Sequence, residues 1–257
     1  MSTHRKHLNP NQVQLLKLLY KFRFVSSDLL AKYRDVTRTG INHSLTILVD
    51  QILVDRRYDK SYKIQGKSAV YCLTPVGLRM LMDYMPLNDN VVHAMYKNKT
   101  VSEGFIDECL RVVEVCTALN SLYPDTFSIF TRSELAQFDY FPEPKPFLYL
   151  SRKKPLKGKQ NDYMLDIIAD NRKFIIKKRI QTYINHHDSG NWGDEEYPTI
   201  LLLCATPRIE ENALKFTESL LEDFDFYTST IKRFLESDNR DSAIWSDAVE
   251  MDELVSF

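Results

Sequence analysis

The chain has four cysteines, Cys72, Cys109, Cys116 and Cys204, and no C-x-x-C pair. That excludes the usual spacings of zinc and dithiol redox sites, and leaves small core residues. Cys109 and Cys116 are seven apart, so they share one face of a helix. Glycine is scarce, at seven in 257 residues, so few loops can rest on positive φ. None of these glycines builds a G-x-G-x-x-G fingerprint or a P-loop, which removes the common phosphate-cradling turns. No G-x-S-x-G turn marks a serine nucleophile. No apolar run approaches the roughly 20 residues that span a bilayer. The longest, TILLLCA, suits a strand buried on both faces. The opening MSTHRKHLNP is charged and lacks the apolar core of a signal peptide, so the expected location is the cytoplasm. His186, His187 and Asp188 are adjacent and point apart in either a helix or a strand, so no metal site is expected there.

What remains is an ordinary foldable chain with an uneven charge. Apolar residues make up 44% and aromatics 12%, enough for a packed core in one large domain or two small ones. The net charge of −1 conceals three blocks. Residues 1–80 hold 14 Lys or Arg against 5 Asp, a balance of +9. Residues 145–179 hold 11 against 3, a balance of +8. Residues 210–257 hold 4 against 13 Asp or Glu, a balance of −9. Two basic blocks point to an anionic partner. The acidic end reads as a solvated helical surface, a partner-binding tail, or a brake on nonspecific DNA binding.

Helical signals open the chain. Val13, Leu16, Leu19 and Tyr20 form one stripe, with Asn9 as cap and Pro10 in the first helical position. VSSDLLAKYR gives a second helix, and TRTGINHSLTILVDQILV a third with Ile41, Leu45 and Leu48 inward. Two strands, at 53–58 and 69–73, then flank a polar tip with Gly66 as its turn. Thr74 and Pro75 open a fourth helix. This order over residues 8–86 is that of a winged helix-turn-helix domain. Residues 87–101 read as a linker or exposed helix, and VSEGFIDECLRVVEVCTALNSLY as a long helix. From 102 to 246 the pattern is that of an α/β mixed-sheet domain, and 247–257 is an acidic tail. TFSIFTRSEL, FLYLSR, YMLDIIAD, KFIIKKRI, PTILLLCAT and DFYTSTIKRFL are the expected strands, the last of them closing the sheet. YMLDIIAD and KFIIKKRI would form a hairpin through a DNRK turn. PRIEENALKFTESLLEDF is an amphipathic helix, and Trp245, Val249 and Leu254 are anchors near the end.

Two features carry a family resemblance. VYCLTPVGLRML is similar to the second wing strand and exit helix of many winged-helix proteins, in which a strand ends in Leu-Thr-x-x-Gly. The later strands resemble the restriction-endonuclease-like PD-(D/E)xK fold. Together, over roughly residues 10 to 246, the chain resembles the replication-relaxation family of bacterial plasmid and mobile-element proteins. That resemblance implies an α+β protein serving plasmid replication, transfer or gene control. It also implies a nuclease motif in which an Asp opens one core strand, and an acid and a lysine lie one residue apart on the next. Two carboxylates would hold Mg²⁺ there. Asp162 matches the first position, but KFIIKKR contains no acid. Ile175 or Lys177 stands in its place, depending on register. The expectation is therefore a nuclease-like domain without its active site and without a cofactor. A Mg²⁺-dependent nuclease using Asp162, Asp166 and Lys177 is the enzymatic alternative, and a protein-recruiting assembly module is a third reading.

The expected DNA contacts follow from where a recognition helix meets base edges. They are Thr37, Arg38, Thr39, Asn42, His43 and Thr46, with Arg38 suited to guanine and Asn42 to adenine. Lys60, Lys63 and Lys67 at the wing, with Arg56 and Arg57 at its base, would meet phosphates. A second phosphate-binding patch is expected from Arg152, Lys153, Lys154, Lys157, Lys159, Lys177, Lys178 and Arg179. The expected partner is double-stranded DNA. A homodimer and a protein bound through the acidic C-terminus are further candidates.

Overall fold

Helix α1 (Pro10–Phe22) starts where its cap dictates. The Asn9 side chain accepts the Gln12 N–H at 2.8 Å, and the Asn9 N–H donates to the Gln12 side chain at 3.0 Å. This closes a capping box ahead of Pro10. The computed structural model describes residues 8–157, 160–169, 172–218, 225–239, 242–247 and 254–255. Secondary structure is mixed α+β, 49% helical and 18% strand. The chain divides into two compact units, Met1–Thr117 and Ala118–Phe257.

In the first unit, β1 (Val25–Ser26) runs directly into α2 (Ser27–Tyr33), with Ser26 as cap. Asp35 takes the left-handed conformation, φ 51°, and turns the chain into α3 (Arg38–Asp50). Thr37 caps α3 by accepting the Gly40 N–H at 3.3 Å. Then come β2 (Val54–Arg57), a helical turn α4 (Lys60–Ile64) and β3 (Val70–Leu73). Helices α5 (Pro75–Met82), α6 (Asp89–Met95) and α7 (Glu103–Leu122) follow, the last turns of α7 falling in the second unit. The three strands form an antiparallel sheet in the order β1-β3-β2. Ile41, Leu45 and Leu48 are buried from α3, as their spacing requires. The tip between β2 and β3, expected as a polar loop, is helical because Asp59 caps it. Asp59 accepts the Ser61 and Tyr62 N–H groups at 2.8 and 3.1 Å.

The Leu-Thr-x-x-Gly stretch has a packing reason. Thr74 caps α5 at the Gly77 N–H, 3.0 Å, and donates its hydroxyl to the Ile52 carbonyl at 2.6 Å. A Cβ on Gly77 would lie 2.0 Å from the Leu53 carbonyl oxygen. Glycine lets α5 close on the backbone just before β2.

The second unit is one seven-stranded mixed sheet, in the order β10-β9-β8-β7-β6-β5-β4. The strand β4 (Phe127–Thr131), a turn of helix α8 (Arg132–Leu135), β5 (Leu148–Arg152) and β6 (Asp162–Ile168) make an antiparallel meander. Helix α9 (Lys173–Asp188) crosses to β7 (Thr199–Cys204), parallel to β6. Helix α10 (Pro207–Glu218) crosses to β8 (Phe226–Thr230), again parallel. Helix α11 (Ile231–Leu235), β9 (Trp245–Asp247) and β10 (Leu254–Val255) complete the unit, with both late strands antiparallel.

Several expectations are corrected here. KFIIKKRI is not a strand but the first half of α9. Ile176, Ile180 and Tyr183 are all buried, at helical spacing. Parallel pairing of β6 with β7 also demands a long crossover, which a hairpin cannot supply. IKRFL is likewise helical, because the Thr230 hydroxyl caps it at the Arg233 N–H, 3.1 Å. Strand β8 is therefore not the last of the sheet. RSEL leaves β4 as α8, bound by the Glu134 carboxylate to the Thr131 N–H at 2.8 Å. Ile176, Ile180, Tyr183, Ile209 and Ala213 pack on Met164, Ile200 and Leu202, one continuous core on one sheet face. Each such aliphatic side chain contributes about 1.5–3 kcal/mol when fully buried. Among the described residues, no helix is long and apolar enough to cross a membrane.

Candidate nucleic-acid interface

The face of α3 opposite Ile41, Leu45 and Leu48 is open and polar. Thr37, Arg38, Thr39, His43 and Thr46 are exposed and Asn42 is half-buried. A groove of about 660 Å³ separates this face from the β2–β3 hairpin. Arg38, Asn42 and Thr46 line one wall, and Arg56, Tyr58 and Lys67 line the other. The structure thus brings together five of the residues expected to contact DNA. Arg57, Lys60 and Lys63 lie outside this lining. Lys60 and Lys63 are exposed on α4.

Carboxylates position the cations. Asp28 on α2 meets Arg38 Nε at 2.7 Å and accepts the Ser68 hydroxyl at 2.5 Å. One side chain therefore ties α3 to the hairpin across the groove and leaves the outer edge of the Arg38 guanidinium unused by Asp28. Arg57 pairs with Glu103 at 2.9 Å, and Lys67 with Asp107 at 3.5 Å. Both acids belong to α7, so these two cations brace the hairpin. Arg56 lies over the Tyr58 ring, 5.0 Å from its centroid. Tyr62 of α4 is buried, and its hydroxyl donates to Glu103 at 2.8 Å. Burial and this carboxylate push its pKa up. The Ser61 hydroxyl and the Tyr62 N–H hold the Asp59 carboxylate below its usual range. Sequence reasoning missed Asp28, Ser68, Glu103 and Asp107 as positioning groups. Their pairing crosses elements, and no spacing encodes it.

The second cationic patch is divided between elements. Arg152 ends β5, half-buried, with its guanidinium 5.0 Å from the Phe127 ring. Lys153 reaches Asp125 at 3.3 Å, and Lys154 and Lys157 are exposed in the following loop. Lys159 lies outside the described residues. Lys177 and Lys178 sit on α9, with Lys177 over the Phe216 ring at 5.2 Å. Arg179 is half-buried and turned inward onto Asp166 of β6, with a side chain only 10% exposed.

Asp166 occupies the centre of that buried contact. It is 1% exposed and hydrogen-bonded on every side. One oxygen accepts the Phe147 N–H at 3.2 Å and lies 3.8 Å from Arg132. The other takes Arg179 Nε and the Tyr183 hydroxyl, the latter at 2.9 Å. Arg179 also donates to the Pro144 carbonyl. Burial opposes the charge on Arg179, but Tyr183 and Asp166 outweigh it and raise its pKa. Burial, with Asp166 beside it, keeps the Tyr183 phenol protonated.

The implied Mg²⁺ site fails on this geometry. Asp162 and Asp166 stand four residues apart on β6, about 13 Å along the strand. One ion bound at about 2 Å cannot join them. Asp162 accepts the Tyr149 hydroxyl at 2.8 Å, and Asp166 is fully engaged within the protein. Lys177 is on a helix, not on the neighbouring strand. Counted along the meander, β6 is the third strand, and its acids are followed by Tyr163-Met164 and Ile167-Ile168. Neither reads acid-x-lysine. The acidic tail falls almost wholly outside the described residues. Asp170 of the expected turn and the Val249 anchor are outside them too.

No protein-family model matches the chain, and neither a curated protein nor a solved structure does.

Proposed function

We propose that the protein binds double-stranded DNA sequence-specifically through a winged helix-turn-helix unit. In this reading α3 is the recognition helix and β2-α4-β3 is the wing. The observation that carries it is the shared groove, with Arg38, Asn42 and Thr46 facing Arg56 and Lys67. A bidentate Arg reads guanine and an Asn reads adenine in the major groove. Wing cations meet the phosphate backbone. The second unit, proposed as a nuclease-like fold, serves without catalysis. Of its candidate acids, Asp166 is fully engaged within the protein and Asp162 accepts the Tyr149 hydroxyl. The setting implied by the family resemblance is replication, transfer or gene control of a plasmid or other mobile element.

The test is retention of labelled duplex fragments by the full-length protein at two salt concentrations, with and without Mg²⁺. Saturable binding of intact DNA that weakens with salt is the expected result. Cleavage only with Mg²⁺ would overturn the non-catalytic assignment. Absence of binding in all four conditions would overturn the DNA-binding reading itself.

A further inference from the structure

The tip of the hairpin carries an unusual side chain. Ile64 is 85% exposed, more than any other large hydrophobic residue among those described; Phe174 follows at 63% and Ile52 at 57%. A single exposed aliphatic residue is ordinary on a flexible loop. Here the segment is a capped helical turn with a buried anchor. Asp59 caps α4 through two backbone N–H groups and the Ser61 hydroxyl, the last at 2.7 Å. Tyr62 anchors the same turn in the core with Phe24, Val70, Cys72 and Ile106. The Lys67 N–H donates to the Tyr62 carbonyl at 2.9 Å and closes the turn.

Helical geometry fixes what faces out. Lys60 and Ile64 are four residues apart and lie on one face, with Lys63 beside them. Tyr62 lies nearly opposite. The anchor is thus buried while an aliphatic side chain flanked by two lysines is presented to solvent. Among the described residues, no ion pair engages Lys60 or Lys63, in contrast to Arg57 and Lys67.

The geometry points to a minor-groove wedge. Ile64 inserts between base pairs of bound DNA while Lys60 and Lys63 hold the flanking phosphates. The inference rests on the DNA-binding reading and deepens it. In this reading the groove beside α3, with Arg56 and Lys67 on its hairpin wall, receives one sugar–phosphate strand. Elements on its two sides then face the two grooves of the duplex, α3 the major and the hairpin tip the minor. Aliphatic wedges of this kind partly unstack a base step and kink the helix. Flexible pyrimidine–purine steps favour such insertion.

The experiment uses the full chain and a duplex selected by the wild-type protein from a random pool. A 2-aminopurine probe is scanned through the site to report unstacking, and end-to-end energy transfer reports bending. The wild type should raise probe fluorescence at one step and shorten the end-to-end distance. Ile64→Ala should lose both signals and roughly tenfold in affinity. It removes no charge, so the salt slope should stay. Ile64→Phe should restore the kink, and Lys60→Ala with Lys63→Ala should instead flatten the salt slope. Because Ile64 is exposed, its substitution leaves the fold intact, checked by the circular dichroism melt. A wild type that binds salt-sensitively with no unstacking overturns the wedge alone. So does an Ile64→Ala protein that bends DNA normally, or one that loses only binding to anionic vesicles. A wild type that selects no DNA overturns the parent reading instead.

Discussion

Each unit contains an arginine–aspartate pair, and the two pairs serve opposite ends. Arg38 and Asp28 are 60% and 33% exposed, whereas Arg179 and Asp166 are 10% and 1% exposed. The buried pair is closed: Tyr183, Phe147, Pro144 and Arg132 use what the two groups leave over. The exposed pair is open. Asp28 holds one edge of a guanidinium and leaves the rest turned toward a groove. In one place the protein spends charge on its own architecture, and in the other it orients charge toward something outside.

The largest effect is expected from deleting half of the buried pair. Arg179→Ala would leave Asp166 beneath α9 without its nearest cation, and removing one member of a buried pair costs about 3–5 kcal/mol. Both tryptophans, Trp192 and Trp245, lie in the second unit, so their fluorescence follows its unfolding. The urea midpoint by fluorescence should fall sharply. An unchanged midpoint would mean that Asp166 is held by its other partners and that the pair is no keystone.

The first unit has its own fragile point, and it is not ionic. Gly77→Ala drives a methyl group into the Leu53 carbonyl, where the backbone leaves 2.0 Å. Overpacking against backbone should cost about 3 kcal/mol. Far-UV circular dichroism should then show an early unfolding step that tryptophan fluorescence does not follow. Coincident loss of both signals would show that the units unfold together.

Among the surface cations the effects should separate by role. Arg38→Ala should relax the preference at one base pair by about 1–3 kcal/mol, read by competition among site variants. Lys60→Ala and Lys63→Ala should lower affinity for all sequences alike, each reducing the log–log salt slope by about 0.9. Lys67→Ala should change the slope less, because Asp107 already engages that ammonium. Equal behaviour of all four variants would erase the distinction between the helix and the hairpin.

How legible this was depends on whether a signal is local. The Asn9 and Thr74 caps and the Ile41-Leu45-Leu48 stripe are short-range, and each appears where its spacing puts it. The first half of α9 reads as a strand because KFII is a short apolar run, which periodicity alone cannot assign, whereas QTYINHHD already carries a helical pattern. Extended through QTYINHHD, the stripe Ile176, Ile180, Tyr183, His186 is helical and wholly buried. The apolar strand TILLLC gave a second hint, since a strand buried on both faces needs crossover helices. The candidate site was legible as residue types but not as partners. Arg38 was recognisable, whereas Asp28, Ser68 and Asp107 acquire their roles only when α2, the hairpin and α7 meet.

The smallest change falls on the exposed pair. Asp28→Asn keeps the shape of the side chain and its bond from Ser68 but removes the charge beneath Arg38. An exposed pair of this kind contributes about 0–1 kcal/mol, so the melting curve should barely move. If Asp28 serves only the fold, DNA binding should be equally indifferent, or should rise slightly because one negative charge has gone from a cationic surface. If it aims the guanidinium, the selectivity at the Arg38 base pair should fall while affinity for unrelated duplex holds or increases. That split between specific and nonspecific binding, measured at one salt concentration, distinguishes an oriented arginine from a merely neutralised one. The same substitution at Asp166 would be read in the unfolding midpoint instead.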